Sequence, residues 1–196
     1  MPGCSCWALN HGSRLLDTLP DYLCDRLRLV CIGLNPSLPS VRAGFYFANP
    51  RNRFWRALQA SEVLNVTLEP CADAMNVLLR QYRIGFTDVV KRPTAGAKDL
   101  RAADFREWAP KLRQKLLHYQ PGVAWFQGKL AYANYLRYGE AIRLQVDWGD
   151  QTHRVGSTRV FVTPNPSPAN AAYSLDDLSA WFRQLRDYAA RFDPYP

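Results

Sequence analysis

Short apolar runs alternate with stretches of helical periodicity along this chain. Runs rich in β-branched and aromatic residues, typical of buried strands, fall at about 28–34, 85–90, 122–126 and 159–163. Helices are predicted at about 52–58, 74–82, 104–119, 128–139 and 175–188. The first and the last of them carry apolar residues at helical spacing, and the one at 104–119 is mainly polar. Strands that alternate with helices predict βαβ units and a parallel sheet. We expect a loop at 37–50 and a surface hairpin or extended excursion at 142–155.

The first and last apolar runs end in the same tripeptide. Asn35-Pro36-Ser37 follows the first run, and Asn165-Pro166-Ser167 follows the last. Because proline lacks an N–H and holds the preceding residue extended, each turn fixes an amide side chain at the carboxyl end of a strand. Ligands bind at that edge in open parallel sheets. The pair predicts one pocket walled by both turns, although Asn, Pro and Ser are also common in ordinary turns.

The composition fits one globular domain with a basic surface. A length of 196 residues and a hydrophobic content of 47% suffice for a single core. Residues 1–13 show no periodicity and are predicted to form a flexible tail, which leaves 14–196 as the domain. No apolar run is long enough to span a membrane, and no secretory signal is visible.

The charge balance favours a polyanionic partner. The net charge of +8 comes from 25 Lys and Arg against 17 Asp and Glu, and 20 of those 25 cations are Arg. Arg binds phosphate bidentately, although an ordinary basic protein has a similar balance. The five cysteines are scattered and odd in number, which favours a reducing compartment over a disulfide framework. Cys4 and Cys6 lie too close together for the usual metal-binding pair, and the three histidines are isolated, so we predict no metal site.

Three blocks of sequence carry a resemblance to a known family. The first comprises 33–37 (GLNPS), 43–50 (AGFYFANP) and 52–55 (NRFW). The second comprises 85–88 (GFTD) and 92–94 (RPT), and the third is the second Asn-Pro-Ser turn. Together they resemble the mismatch-specific uracil-DNA and thymine-DNA glycosylase family over roughly residues 14–190. The first block is the most specific of the three.

The resemblance implies a fold, a reaction and a partner. The fold is a three-layer α/β/α arrangement around a four-stranded parallel sheet, as in uracil-DNA glycosylases. The reaction is hydrolysis of the N-glycosidic bond of a flipped uracil, chiefly from G:U mismatches, by a monofunctional enzyme that needs no metal or organic cofactor. Double-stranded DNA with a G:U mismatch is the expected partner, with G:T mismatches and single-stranded DNA as further candidates. We expect a monomer without membrane association, in the cytoplasm and at the nucleoid if the source is bacterial.

The first block supplies most of the expected pocket. The resemblance implies that Asn35 positions the attacking water, and an amide can accept from water while it donates elsewhere. Phe47 is implied to stack on the flipped base, a contact worth roughly 1–3 kcal/mol. Leu34, Ser37 and Tyr46 are expected to line the same pocket, where the small Ser37 leaves room for a substituent at C5 of the base. Two further aromatic residues of the block are assigned to the core, namely Phe54 and Trp55.

Asp88 departs from the pattern of the family, which does not generally carry an acid at this position. The strand pattern places it near the carboxyl end of the second strand, at the same edge as both turns. A carboxylate there could act as a general base for the water or offset the charge of a cationic sugar. Two other interpretations stay open, because Asp88 could instead cap the following turn or pair with Lys91 or Arg92.

The loop after the last strand is expected to enter the DNA duplex. Its residues are Asn165, Pro166, Ser167, Pro168, Ala169 and Asn170. Relatives place a Leu or an Arg in this loop, whereas the candidates for insertion here are the small residues Pro168, Ala169 and Asn170. This favours poor flipping of well-paired bases or a preference for mismatched and single-stranded uracil. Ser167 could hold a phosphate. The candidate cations for backbone contacts are Arg51, Arg53, Lys91, Arg92 and Lys129, although any single one of them could be an ordinary solvated surface charge.

Two other functions remain open from the sequence. A protein on the same scaffold could bind mismatched or abasic DNA without turnover, and the lack of a bulky inserting residue supports that alternative. A glycosylase could also act on another deaminated base, such as hypoxanthine or xanthine. Release of a free base separates the first alternative from a glycosylase, and a panel of substrates separates the second.

Overall fold

Four of the apolar runs form neighbouring parallel strands at the centre of the structure. The computed structural model describes residues 17–192, so the tail predicted at 1–13 lies outside the described residues. The strands are β1 (Leu29–Gly33), β2 (Ile84–Asp88), β3 (Val123–Gln127), β4 (Gly149–Val155) and β5 (Thr158–Thr163). Every residue of β1, β2 and β3 is buried, as expected for parallel strands that are covered on both faces.

The sheet has five strands in the order β2-β1-β3-β5-β4. The first four in this order are parallel to one another, as the resemblance implied. The fifth strand, β4, pairs antiparallel with β5 at the edge of the sheet. The prediction of four strands is therefore correct for the parallel part and one strand short for the whole sheet. The added strand falls within 142–155, where the sequence predicted a hairpin or an extended excursion.

Helices cover both faces of this sheet. They are α1 (Leu38–Ala43), α2 (Phe54–Ala60), α3 (Ala72–Arg80), α4 (Ala102–Tyr119), α5 (Lys129–Gly139) and α6 (Leu175–Ala190), with a 3₁₀ turn at Ala97–Asp99. A capping box opens α6, where the Ser174 hydroxyl accepts from the Asp177 N–H and the Asp177 carboxylate accepts from the Ser174 N–H. No described helix is both long and apolar enough to cross a lipid bilayer.

The helix α1 corrects the expectation of a continuous loop at 37–50. The Ser37 hydroxyl caps its first turn by accepting from the Ser40 N–H, and Pro39 lies in that turn, where a missing N–H has no consequence. Gly44 ends the helix in the left-handed conformation, with a φ of +76°. These capping residues define a six-residue helix that is too short to show apolar periodicity in the sequence.

Alternate residues of each strand pack into two separate cores. Trp125 of β3 points to one face, where its ring lies 4.6 Å from that of Phe182 in α6. The next residue, Phe126, points to the other face and lies 5.3 Å from Tyr135 in α5. Helices α2, α3 and α6 cover the first face, and α4 and α5 cover the second. The three-layer α/β/α fold is confirmed, and it leaves the carboxyl edge of the sheet free for a site.

Candidate active site

A cavity of about 180 Å³ opens at the carboxyl edge of the parallel strands. Its wall includes Asn35 and Ser37 from the turn after β1, and Asn165 and Ser167 from the turn after β5. Asp88, the last residue of β2, lines it as well. The volume is several times the roughly 30 Å³ that one water molecule occupies in the liquid. The two turns from opposite ends of the sequence therefore wall one pocket that can hold a ligand larger than water.

Most of the predicted pocket residues meet at this cavity, together with several that sequence reasoning missed. The predicted residues that line it are Leu34, Asn35, Ser37, Tyr46, Phe47, Asp88, Asn165 and Ser167. Pro168 and Ala169 line a shallow groove beside it. The lining residues that were missed include Leu19, Gly33, Ser40, Asn52, Thr94 and the segment 95–97. Gly33, Asn52 and Thr94 lie within the quoted blocks, whereas no local signal distinguishes Leu19.

The Asn35 amide is held in one orientation by its partners. Its Nδ2 lies 3.2 Å from the Pro36 carbonyl oxygen, 3.1 Å from the Arg92 carbonyl oxygen and 2.7 Å from Thr94 Oγ1. Carbonyl oxygens only accept hydrogen bonds, so the NH₂ group must face them. No described residue donates to the Asn35 Oδ1. That oxygen is the free acceptor of a side chain that lines the cavity, which is the arrangement needed to hold a water molecule.

Thr94 is a positioning residue that the sequence analysis did not single out. Its hydroxyl accepts from Asn35 Nδ2 and donates to the Gly96 carbonyl oxygen at 2.9 Å. The hydroxyl proton is therefore directed away from Asn35, which leaves an oxygen lone pair for the amide. The segment that carries Thr94 is tied to the first turn by a hydrogen bond from the Thr94 N–H to the Pro36 carbonyl oxygen. These contacts link the segment after β2 to the turn after β1.

Phe47 lines the cavity with a ring that is supported from behind. It stacks on Phe54 with ring centroids 4.0 Å apart and an interplanar angle of 15°. Phe54 and Trp55 belong to the core, as predicted. Phe47 itself has a φ of +58°, an uncommon conformation for a bulky residue that is typically retained at functional positions. The stack fixes the ring, and the ring face away from Phe54 is the one available to a planar ligand.

Asp88 is a buried carboxylate with an incomplete set of partners. It is 3% exposed, and no described residue donates a hydrogen bond to its Oδ2. Burial raises the pKa of Asp88 to about 7, against the opposing effect of the Lys91 ammonium 3.8 Å away. No hydrogen bond in the described structure joins the Asp88 side chain to a backbone N–H of the following turn, so the structure does not support the interpretation of Asp88 as a cap. The ion-pair interpretation holds in part, because Lys91 lies 3.8 Å from Asp88 but only 2.9 Å from Asp21.

Gly33 makes room for the Asp88 side chain. The two residues are directly opposite each other in the β1–β2 ladder. A Cβ atom at position 33 would lie 2.4 Å from Asp88 Oδ1, which is closer than atoms in contact can approach. The glycine at the end of β1 and the aspartate at the end of β2 therefore form a matched pair.

Three further predicted pocket residues line the cavity and also bond or pack within the protein. The Ser37 hydroxyl caps α1 and donates to Ser40 Oγ at 3.0 Å. The Tyr46 hydroxyl accepts from Lys91 Nζ at 3.1 Å and donates to the Pro20 carbonyl oxygen at 3.2 Å. Leu34 is buried to 9% exposure at the cavity wall. The Tyr46 hydroxyl is thus engaged behind the cavity, and its ring is the part that a ligand can contact.

Arg53 organises the loop that follows β5. Its guanidinium donates to the carbonyl oxygens of Ser167 at 2.7 Å, Asn170 at 2.8 Å and Tyr173. Its backbone N–H donates to the Pro166 carbonyl oxygen at 3.1 Å. Four of the five guanidinium N–H donors are thus used inside the protein, so the structure does not support the hypothesis that Arg53 contacts the DNA backbone.

Two more of the candidate DNA contacts are engaged elsewhere. Lys91 is buried to 6% exposure and pairs with Asp21 at 2.9 Å. Arg92 is exposed, but its guanidinium makes two hydrogen bonds to the Asp104 carboxylate, at 2.6 and 2.7 Å. Arg51 stays exposed at the groove beside the cavity and remains a candidate for phosphate contact.

The loop at 165–170 is fixed by its own side chains. Asn165 Oδ1 accepts from the Ser167 N–H at 2.7 Å, and its Nδ2 donates to the Gln127 carbonyl oxygen. Asn170 Nδ2 donates back to the Asn165 carbonyl oxygen at 2.9 Å, so this side chain points into the loop and is not free for insertion. Pro168 and Ala169 are the exposed residues at its tip. Within residues 17–192, no group of three or more His, Cys, Asp or Glu side chains is placed to hold a metal ion.

The sequence and the fold of this chain both match known proteins. The sequence profile of the Uracil DNA glycosylase superfamily matches residues 20–189. Among solved structures, the chain is similar to a candidate uracil DNA glycosylase from Methanosarcina acetivorans that was determined by NMR in solution. That match covers 88% of this chain and 97% of the other, with a TM-score of 0.58 and 20% sequence identity. At this identity the structural likeness shows a common fold.

Proposed function

The chain belongs to the uracil DNA glycosylase superfamily, and from that premise we propose that it is a monofunctional DNA glycosylase. It removes uracil from DNA by hydrolysis of the N-glycosidic bond, chiefly at G:U mismatches. The observation that carries this proposal is the pairing, in one cavity, of an amide with a free acceptor oxygen and a buried carboxylate. Asn35 provides the first group and Asp88 the second.

The proposed mechanism divides the reaction between three side chains. The base flips into the cavity and stacks on Phe47, which the core supports through Phe54. The oxygen of a water molecule bound to Asn35 Oδ1 forms a bond to C1′ of the deoxyribose. The C1′–N1 bond breaks, its electron pair leaves with the base, and the base is later protonated. Asp88 in its ionised form accepts the proton that the water loses.

A pKa of about 7 suits Asp88 to this role. A general base is most effective when its pKa lies near the working pH, because it is then both available and basic enough to take a proton. An ordinary aspartate is a much weaker base, with a pKa near 3.8. Burial also places the carboxylate where it can stabilise the positive charge that develops on the sugar. An ionised carboxylate is a far stronger base than an amide, so Asp88 gives this chain a stronger base than Asn35 alone.

The proposed preference for mismatched uracil rests on the tip of the loop after β5. Base flipping requires a few kcal/mol of unstacking and unpairing, which is smallest for mismatched or single-stranded bases. Pro168 and Ala169 fill little of the space that the flipped base leaves, because both side chains are small. Well-paired uracil should therefore be a poorer substrate than uracil in a G:U mismatch or a single strand.

A second candidate function is binding of mismatched or abasic DNA without turnover, which the small loop tip also favours. It does not account for Asp88, because an ordinary binding site has no need for a buried carboxylate whose Oδ2 accepts no hydrogen bond from the described residues. We further propose that the protein acts as a monomer on double-stranded DNA. The proposed place of action is the cytoplasm, at the nucleoid if the source is bacterial.

A substrate panel tests the proposal directly. Single-turnover reactions would use duplexes with G:U, A:U, G:T and G:hypoxanthine pairs, together with single-stranded uracil DNA. The expected result is free uracil and an alkali-labile site, fastest from G:U and single-stranded DNA and slower from A:U. Intact DNA in every reaction, with tight binding to the G:U duplex, would contradict the glycosylase and support the binding protein. Release of hypoxanthine in preference to uracil would support the other deaminated-base alternative.

A further inference from the structure

A partly buried cluster of charged groups lies behind the candidate active site. Asp21, in the segment that precedes β1, accepts from Lys91 Nζ at 2.9 Å through Oδ1 and from Lys115 Nζ of α4 through Oδ2. The Thr87 hydroxyl donates to the same Oδ1 at 2.8 Å. Both oxygens of the Asp21 carboxylate are thus engaged. The proposed mechanism uses none of these groups.

Lys91 is the member of this cluster that reaches the active site. Its ammonium lies 3.8 Å from Asp88 Oδ2, the same oxygen to which no described residue donates a hydrogen bond. It also donates to the Tyr46 hydroxyl at 3.1 Å. Its side chain is 7% exposed, and it lies behind the wall of the cavity, whose described lining residues do not include it. The ammonium is therefore in place to act on Asp88 and out of place to attack a substrate.

The closer contact with Asp21 holds Lys91 near Asp88 but beyond hydrogen-bond distance of it. A buried ammonium requires a strong partner, and a fully formed ion pair with Asp88 would fix that carboxylate in its charged form. Asp21 provides the closer partner, with an N–O distance of 2.9 Å against 3.8 Å to Asp88. The longer distance leaves Asp88 under the influence of a positive charge without a direct hydrogen bond to it.

We propose that Lys91, anchored by Asp21, is a positioning residue that holds a positive charge beside Asp88 and so sets the pH range in which Asp88 accepts a proton. This inference rests on the proposed role of Asp88 as the general base. The charges of Lys91 and Asp21 act in opposite directions on the protonation of Asp88. The Lys91 ammonium favours the ionised carboxylate, and the Asp21 carboxylate disfavours it.

The groups that face Asp88 come from every element packed around it. They are Lys91 after β2, Asp21 before β1, Tyr46 in the loop after α1, Lys115 in α4 and the thiol of Cys31 in β1. Burial raises the pKa of both Tyr46 and Cys31 well above the usual range, so these two groups stay neutral near pH 7. The charges that can tune Asp88 are therefore those of Lys91, Asp21 and Lys115.

Removal of the charge at Lys91 or at Asp21 tests the inference, because the two variants should shift the pH–rate profile in opposite directions. Lys91→Met removes the cation, so the acid limb of the pH–rate profile should move up by about one pH unit or more. Asp21→Asn removes the anion and frees Lys91 to approach Asp88, so the limb should move down. Lys111→Met serves as the matched control, because Lys111 is an exposed lysine of α4 that pairs with Glu107. Its profile should match that of the wild type.

Two further variants guard against loss of the fold. Lys91→Arg keeps the charge, so it should retain a profile closer to the wild type than Lys91→Met does. The double variant Asp21→Asn/Lys91→Met removes both charges together, and its acid limb should fall between those of the two single variants. Circular dichroism and urea unfolding at one pH would show which variants are folded well enough to compare.

A titration that does not depend on catalysis separates this inference from the proposed function. The ¹³C resonance of the Asp88 carboxyl, assigned by its loss in Asp88→Asn, would be followed against pH in each variant. Opposite movements in Lys91→Met and Asp21→Asn support the inference even if no DNA substrate is cleaved, in which case only the proposed function fails. Unchanged titration of Asp88 in both folded variants, or movement in the same direction, would overturn it.

Discussion

Asp88 carries a free-energy cost that the fold itself does not require. Its carboxylate is buried, and no described residue bonds to its Oδ2. A buried acceptor left without a partner typically destabilises a protein by about 1–3 kcal/mol, and a charged one by more. Retention of such a group is explained if its chemistry is used. At the scale of single residues, function and stability are therefore expected to oppose each other at this position.

The first prediction is that Asp88→Asn stabilises the protein at alkaline pH while it impairs catalysis. The folded-state pKa of about 7 exceeds the ordinary value of 3.8, so Asp88 is protonated when folded and ionised when unfolded between these limits. The resulting loss of stability grows as the pH rises from about 4 and is complete above about 7. An asparagine escapes this loss, so its advantage should reach at most about 4 kcal/mol at pH 8 and vanish near pH 4.

Urea unfolding at pH 4.5 and pH 8 measures this advantage. The matched control is Asp25→Asn, which neutralises an exposed aspartate of the same chain. An advantage of Asp88→Asn that is the same at both pH values would show that Asp88 does not titrate differently in the folded and unfolded states.

The second prediction concerns the pairing of Gly33 with Asp88. Gly33→Ala would place a Cβ 2.4 Å from Asp88 Oδ1, so the carboxylate must move. Overpacking of this kind typically destabilises the folded protein by about 1–3 kcal/mol. Displacement of the Asp88 carboxylate should also lower the rate at which uracil is released. The same substitution in an Asp88→Ala background should cost much less, because the clashing oxygens are absent. An equal loss of stability in both backgrounds, measured by urea unfolding, would refute the pairing.

The residues of the site differ in how visible they are to sequence reasoning. Asn35 and Phe47 stand in a specific block, and their placement at the cavity could be predicted from it. The free Oδ1 of Asn35 depends on Thr94, whose contribution is visible only when the segment after β2 folds against the first turn. The surroundings of Asp88 involve Asp21 and Lys115, which are distant in the chain and carry no local motif. Long-range electrostatic partners of this kind cannot be predicted from spacing.

Among the elements, the loop after β5 shows how one side chain can support a whole segment. Arg53 sits before α2 and donates to carbonyl oxygens along 166–173. Hydrogen bonds from a charged donor contribute about 1.5–3 kcal/mol each, so these contacts add to the order that the loop's own side chains provide. The sequence suggested a DNA contact for Arg53 because it lies near Pro50 at the start of a predicted helix. The structure assigns the arginine to the protein's own backbone.

The third prediction follows from this assignment. Arg53→Lys keeps the charge but loses the planar guanidinium fork, so the loop should lose order and DNA affinity should fall about tenfold. Hydrogen exchange of the amides at 167–173 and binding of a G:U duplex measure the two effects together.

The neighbouring Arg51 provides the control for this prediction, because it is exposed at the groove. Arg51→Lys should leave hydrogen exchange in the loop unchanged. Arg53→Lys with unchanged exchange and unchanged binding would contradict a structural role for Arg53.

Elements with strong patterns were predictable, and those defined by caps or edges were not. The four buried parallel strands have apolar runs, and their order along the chain could be predicted. The edge strand β4 consists mostly of polar residues with alternating exposure, so it has no apolar run to reveal it. The helix α1 depends on the Ser37 cap and on Gly44, which read equally well as turn residues. Both elements flank the parallel core and do not alter its order.

At the scale of the whole molecule, the parallel sheet explains how distant segments meet. Strands β2, β1, β3 and β5 all end at one edge, so the residues that follow them converge there. The two Asn-Pro-Ser turns and Asp88 reach one cavity for this reason. The cores on the two faces then hold the strands in register. Convergence of the turns could be predicted from the fold class, whereas the volume and lining of the cavity required the three-dimensional structure.

The measurement that tests the account most directly is single-turnover release of uracil from a G:U duplex at pH 8. It would compare the wild type, Asn35→Ala and Asp88→Asn, with DNA binding measured for each. We predict that Asp88→Asn lowers the rate at least a hundredfold, as is typical for loss of a general base, with binding retained. Asn35→Ala should also lower it, because the water loses its acceptor. A nearly unchanged rate for Asp88→Asn would contradict Asp88 as the base and leave the reaction to Asn35.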